Sequence, residues 1–119
     1  MAYFKRMSLR IVPIGNTKKE VKAFANFMKD VYKNYPNFVP PIYSEVVKFI
    51  MNGPFNKIGE KQLYLAYRGE KIVARLSVHR NFAHNDHYKE NQGFFGFFEA
   101  LDDQEAVNAI FAEGEKWLR

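Results

Sequence analysis

The sequence has no cysteine among its 119 residues. This absence excludes disulfide frameworks, thiolate zinc sites and cysteine nucleophiles. No apolar run reaches the ~20 residues that a membrane-spanning helix needs, and residues 1–6 lack the apolar stretch of a signal peptide. We therefore expect a cytoplasmic protein that does not insert into a membrane.

Several catalytic motifs are also missing, namely the P-loop, the nucleophile elbow and the HExxH zinc motif. What the chain does have is aromatic mass, with 12 Phe, seven Tyr and one Trp. So many large apolar side chains exclude a disordered protein, and the length suits one hydrophobic core. We expect a single domain over residues 1–119.

The net charge of +5 is unevenly distributed. Residues 1–59 hold ten Lys and Arg against three Asp and Glu, whereas residues 60–119 hold eight against ten. A basic half permits an anionic partner, although a solvated basic face on a helix explains it more simply. Residues 93–100 fit no register of the RNA-binding strand consensus, so we do not expect nucleic acid as a partner.

Alternation of apolar and polar residues predicts four strands. Residues 8–14 form one strand, which Pro13 restricts to the edge of a sheet. Residues 63–78 alternate on both sides of a turn at residues 68–71, which predicts a hairpin. Residues 93–100 are aromatic on both faces, which is typical of a strand in the middle of a sheet that is covered on both sides.

Helical spacing predicts three helices. Thr17 and Glu20 have the spacing of a capping box and open an amphipathic helix that Pro36 stops. A second helix covers residues 43–51, and Asp102 begins a last one. The fold class is therefore α/β (α+β): a mixed, mostly antiparallel sheet of about four strands, with the first two helices on one face and the last helix on the other.

Three histidines raise the question of a metal site. His84 and His87 are three residues apart, with Asp86 between them and His79 nearby. Two imidazoles on a polar connection lack a fixed third ligand, so we interpret them as hydrogen-bonding loop residues and expect no metal.

The order of elements, with a proline-rich bend between two N-terminal helices, resembles the first half of GNAT-type acyl-CoA N-acyltransferases. Four stretches are similar in amino-acid sequence to a bacterial GNAT-like subgroup, namely residues 37–41, 54–55, 79–84 and 93–99. The resemblance implies that a full family domain would continue into further strands and a further helix, and that this chain is incomplete relative to it.

The resemblance also implies a site beside the fourth strand. Glu99 matches the position of the catalytic base, and the alternative is that Glu99 only pairs with Arg75 or Arg80. Acetyl-CoA or another acyl-CoA would be the co-substrate, held by the strand's backbone and by the start of the last helix. The matching positions are Phe98, Ala100, Leu101 and Gln104.

Two features of the last helix oppose acyl-CoA binding. Val107 stands where the family has a glycine, and its branched side chain would crowd a phosphate. Asp102, Asp103 and Glu105 place three carboxylates at the helix start, where they would repel a pyrophosphate.

The resemblance implies an N-acyltransferase, or its N-terminal lobe, that moves an acyl group to a small-molecule or peptide amine, with weak or no activity alone. The alternative is a noncatalytic interaction domain that forms a homo-oligomer through the edge of the aromatic strand. A missing C-terminal half would close the same edge.

Overall fold

The computed structural model describes residues 8–53, 59–81, 85 and 93–119. Within these ranges the chain forms four strands and three helices, in the order predicted from the sequence. They are β1 (Leu9–Ile14), α1 (Lys18–Tyr32), α2 (Tyr43–Asn52), β2 (Gly59–Arg68), β3 (Lys71–Asn81), β4 (Phe94–Ala100) and α3 (Gln104–Leu118). His84, Asp86 and His87 lie outside the described residues.

The described strands form one sheet in the order β1-β2-β3-β4, and every pairing among them is antiparallel. β1 is an edge strand, as Pro13 predicted. The β2–β3 hairpin turns at Gly69, whose φ of 59° lies in the left-handed region that favours glycine. The predicted α+β class is confirmed.

The start of α1 follows the predicted capping box. The Thr17 hydroxyl accepts a hydrogen bond from the Glu20 amide at 3.3 Å and donates to the Glu20 carboxylate at 2.8 Å. The same carboxylate accepts from the Gly15 amide at 3.0 Å. These hydrogen bonds lower the pKa of Glu20, the one from Thr17 most strongly. Because α1 begins at Lys18, its length places Tyr32 in its last turn.

The sheet has a core on each face, as predicted. α1 and α2 cover one face, whose buried residues are Ile14, Val21, Phe24, Ala25, Val47, Ile50, Leu63 and Leu65. α3 covers the other face, whose buried residues are Tyr64, Ala66, Val73, Ala74, Leu76, Val78, Ala106 and Ile110. We call these the α1/α2 face and the α3 face.

Two details differ from the sequence prediction. The N-cap of α3 is Asp103 and not Asp102, because the Asp103 carboxylate accepts from the Ala106 amide at 3.2 Å. β4 was expected inside the sheet, yet it lies at the edge of the described sheet. Four phenylalanines on it remain 38% to 44% exposed: Phe94, Phe95, Phe97 and Phe98. The number of aromatic side chains on a strand does not reveal whether a further strand covers its edge.

Arg75 on β3 is the largest fully buried side chain among the described residues, at 2% exposure. Its guanidinium donates to the carbonyl of Phe97 at 2.9 Å and to that of Phe24 at 3.0 Å. It also lies over the Phe24 ring, 5.1 Å from the ring centroid. One side chain therefore connects β3, β4 and α1.

Replacing Arg75 with alanine should lower the free energy of unfolding by about 3 kcal/mol, since buried carbonyls lose a charged donor and a cavity forms. Urea unfolding followed by circular dichroism measures the loss. The control is Lys22→Ala, which removes a positive charge from an exposed position on α1. Equal stability of the two variants would show that Arg75 does not join the three elements.

Candidate functional site

Glu99 and Tyr32 meet where β4 passes the end of α1. The Tyr32 hydroxyl lies 3.0 Å and 3.1 Å from the two carboxylate oxygens of Glu99, to which it donates. The pair is partly buried. This hydrogen bond raises the pKa of Tyr32, and burial adds to the effect. The contact fixes the carboxylate in one orientation while leaving it within reach of solvent.

Arg75 of β3 lies beside Glu99. It is the cross-strand neighbour of Glu99 in the β3–β4 register. Burial lowers the pKa of Arg75, and the Glu99 charge opposes this effect. The described hydrogen bonds of the guanidinium go to backbone carbonyls, whereas Glu99 accepts from Tyr32. Arg80, the other predicted partner, instead donates to Glu60 at 2.6 Å and to the Trp117 carbonyl at 2.7 Å.

A β-bulge brings Glu99 to the α1/α2 face. The β3–β4 register shifts between Arg75 and Ser77, and Phe97 has a φ of 50°, which is strained for a residue with a side chain. Phe97 consequently packs against Phe24 of α1. Such bulges and strained residues concentrate beside functional sites, because they redirect side chains.

The bulge also interrupts the alternation of side chains along β4. Phe95 and Phe98, three residues apart, both pack against Phe111 of α3, with ring centroids 5.1 Å and 4.9 Å away. A regular strand would place these two phenylalanines on opposite faces. The bulge therefore explains why Phe95 and Phe98 share the α3 face.

An open groove of about 930 Å³ runs between α2 and Phe97. Its wall is mostly apolar and consists of Pro41, Ile42, Glu45, Val46, Lys48, Phe49, Asn52 and Phe97. The exposed Phe49 and Ile42 have 57% and 70% of their surface accessible. A ligand with an apolar body would find contact area here.

The residues predicted to hold acyl-CoA are spread from β4 to the start of α3. Phe98 and Ala100 lie on β4, and Leu101 follows it with its amide bonded to the Val73 carbonyl at 2.9 Å. Gln104 is exposed and donates to the side chain of Asn108 at 2.8 Å. The Phe98 ring packs against Phe111, and Ala100 and Leu101 pack against the core of the α3 face.

The start of α3 is occupied by the protein's own charges. Asp103 is buried and accepts two hydrogen bonds from Arg68, at 2.8 Å and 3.1 Å, while Glu105 accepts another from the same guanidinium. The Asp103 carboxylate also accepts a hydrogen bond from the Ala106 amide. The hydrogen bond from Arg68 to Asp103 raises the pKa of Arg68 despite its burial. These residues do not fit a pyrophosphate, because the amide and the positive charge it would use already have partners.

Sequence reasoning missed three residues of this region. Helical spacing groups Tyr32 with the apolar side chains of α1, and the hairpin pattern places Arg68 in the turn at residues 68–71. Arg75 was considered only as a partner for Glu99. A charged residue within an otherwise apolar, alternating strand pattern was the available sign for Arg75.

Among residues 8–53, 59–81, 85 and 93–119, no three His, Asp or Glu side chains cluster as they would around a metal ion. The helices of the described part are all too short or too polar to cross a bilayer.

Comparison with known proteins gives two relatives. The chain is 29% identical to Protein YghO of Escherichia coli (strain K12) over 103 residues, which are 86% of this chain and 26% of that protein. It is 30% identical to a protein named bacterial ceramide synthase from Caulobacter vibrioides (strain NA1000 / CB15N) over 114 residues, which are 93% of this chain and 29% of that protein. No family model and no solved structure matches the chain. The chain thus spans less than a third of the length of these curated relatives.

The Tyr32–Glu99 hydrogen bond should make stability depend on pH. Because the pKa of Tyr32 is raised in the folded state, the stabilisation is full below the unfolded-state pKa of about 10 and is lost as pH rises through the folded pKa. Tyr32→Phe should therefore cost about 1 kcal/mol at neutral pH and progressively less above pH ~10. Urea unfolding of both proteins across this range measures the difference.

The control for this pH dependence is the same substitution in a Glu99→Ala background. Without the carboxylate, Tyr32→Phe should have little effect at any pH, as a double-mutant cycle requires for interacting residues. A cost of Tyr32→Phe that stays constant with pH, or that persists in the Glu99→Ala background, would contradict the hydrogen bond's role.

Proposed function

We propose that this chain is a segment of a GNAT-type N-acyltransferase, in which Glu99 is the general base. The proposal rests first on the Glu99–Tyr32 pair beside a bulged, strained strand that faces an open groove. The family resemblance in residues 37–41, 79–84 and 93–99 supports it. Similarity to a protein named bacterial ceramide synthase also supports it, since a ceramide is by definition an N-acyl amide.

In the proposed reaction the carboxylate of Glu99 takes a proton from the ammonium group of the acceptor, directly or through a water. The neutral amine nitrogen then attacks the thioester carbonyl carbon of the acyl donor. A C–N bond forms, the C–S bond breaks, and the sulfur leaves as a thiolate that takes up the proton released by the attacking nitrogen. Tyr32 holds the Glu99 carboxylate in the orientation that meets the amine, so Tyr32 acts as a positioning residue.

The acyl donor in this proposal is acetyl-CoA or a longer acyl-CoA. Phe98, Ala100 and Leu101 would offer backbone groups along β4, but the start of α3 opposes a pyrophosphate because Asp103 and Glu105 already bind Arg68. We therefore expect this chain alone to bind an acyl-CoA weakly and to transfer slowly. This chain matches less than a third of each relative, so more than two thirds of each relative's length is available to complete such a site.

The proposal predicts that acyl transfer depends on Glu99. Release of free thiol is followed with acetyl-CoA or a long-chain acyl-CoA as donor and a panel of primary amines, including a sphingoid base, as acceptors. Glu99→Gln should slow the release by about 100-fold, because general-base catalysis is lost. The control is Glu70→Gln, which alters an exposed carboxylate in the β2–β3 turn.

Thiol release that Glu99→Gln leaves unchanged would overturn the assignment of the base. No amine-dependent release with any donor and acceptor would overturn the transferase proposal for this chain.

The second candidate is a noncatalytic domain that self-associates through β4. It is favoured by the exposed phenylalanines on a strand that lies at the edge of the described sheet. A strand edge with apolar side chains recruits another chain unless a charge blocks it. A second copy of this chain could pair along the edge through a two-fold axis.

This candidate predicts a dimer that one charge on the strand disrupts. Light scattering over a concentration series should show association of the unaltered chain and a monomer for Phe94→Lys, because an edge lysine opposes strand pairing. The control is Val39→Lys, since Val39 is 84% exposed but lies outside the sheet. A strictly monomeric unaltered chain would rule out this candidate.

A further inference from the structure

A small cavity lies on the α1/α2 face; its lining does not include Glu99, and it shares Phe49 and Phe97 with the open groove. Its volume is about 200 Å³. Three polar side chains line it, Lys61 from β2 and Ser77 and His79 from β3. Its apolar walls are Phe49 and Ile50 from α2, Leu63 from β2 and Phe97 from β4.

The strand register explains why these three polar groups share one cavity. Lys61 is the cross-strand neighbour of His79, and Ser77 is two residues from His79 on the same strand. Residues two apart on a strand point to the same face. The two β3 side chains converge over Gly96, where a methyl group would lie 3.1 Å from both Ser77 Oγ and His79 Cε1.

Ser77 supplies an independent sign of a ligand. The residue is 2% exposed, and its hydroxyl has no hydrogen-bond partner among the described residues. A hydroxyl that is buried without a partner destabilises the folded chain, because nothing compensates for its loss of water. A hydroxyl held at this cost on the wall of a cavity is available to a ligand that enters it.

The polar groups of the cavity indicate the sign of the charge that its ligand carries. Burial lowers the pKa of Lys61 and that of His79, so an anion bound between them would favour their charged forms and raise both values again. An ammonium, a serine hydroxyl and an imidazole N–H are all donors to oxygen. Three donors in one cavity suit an oxyanion as the ligand and do not suit a cation.

We propose that this cavity binds the carboxylate of a short-chain monocarboxylic acid, with Lys61, Ser77 and His79 donating to its oxygens. The volume equals roughly six or seven waters at about 30 Å³ each. That space holds a carboxylate with a short hydrocarbon tail, and Phe49, Ile50, Leu63 and Phe97 provide the apolar contacts for it. Inorganic phosphate would gain the donors but leave the apolar wall without contact.

This binding proposal does not depend on the proposed acyl transfer. Its test is equilibrium binding, which is measured without any reaction. Butyrate is titrated into the ¹⁵N-labelled chain and followed by NMR, with n-butylamine and inorganic phosphate as comparison ligands. We expect saturable shifts with butyrate and at least tenfold weaker binding of the other two. The imidazole of His79, identified by comparison with His79→Asn, should titrate at higher pH when butyrate is bound.

Two substitutions test the donors. Lys61→Met should weaken butyrate binding at least tenfold, because it keeps the apolar stem and removes the charge. Ser77→Ala should weaken binding about fivefold while leaving the free chain as stable as before or more stable, since the unpaired hydroxyl is gone. The control is Lys22→Met, which removes a charge from exposed α1 and should leave binding unchanged.

Equal affinity for butyrate and n-butylamine would overturn the oxyanion assignment. Equal affinity for phosphate would overturn the carboxylate assignment. Butyrate binding that both Lys61→Met and Ser77→Ala leave intact would place the ligand elsewhere and overturn the site, as would a titration with no saturable shift.

Discussion

The buried guanidinium of Arg75 is the interaction on which the rest of the structure depends. A charge taken out of water costs several kcal/mol unless its donors are satisfied, so the elements that supply acceptors must stay in place. Those acceptors are the carbonyls of Phe24 on α1 and Phe97 on β4. Fixing α1 at Phe24 also fixes Tyr32, which lies eight residues further and about 12 Å along the helix. The position of Tyr32 against Glu99 therefore follows from the position of Arg75.

The same guanidinium accounts for the geometry of β4. Phe97 turns its carbonyl toward Arg75 and takes a positive φ at the bulge. Past the bulge, Glu99 stands opposite Arg75 on the α1/α2 face. A charge-assisted hydrogen bond compensates for the strain of about 1–3 kcal/mol that such a backbone conformation costs. The carboxylate is thus placed by a backbone interaction two residues away and oriented by a tyrosine from another element.

The element order and the two faces of the sheet could be predicted because they depend on local patterns. The capping box at Thr17, the alternation along β2 and β3 and the helical spacing of α1 are read within a few residues. The partners of Arg75 and Arg68 are 22 to 51 and 35 to 37 residues away, so no local pattern indicates them. Glu99 was singled out by family resemblance, whereas Tyr32 required the packing of α1 against β4.

The two polar places on the α1/α2 face have different physical characters, and Phe97 separates them. On one side Glu99 has a fixed partner in Tyr32 and lies two residues from Phe97, which lines the open groove, and this arrangement suits proton transfer with an exchanging substrate. On the other side Ser77 is buried in a small cavity beside Lys61 and His79, which suits retention of a small group by hydrogen bonds and exclusion of water. The α3 face carries Arg68, but Asp103 and Glu105 satisfy it. The Glu99 carboxylate and the Ser77 hydroxyl, which has no hydrogen-bond partner among the described residues, therefore both lie on the face that α1 and α2 cover.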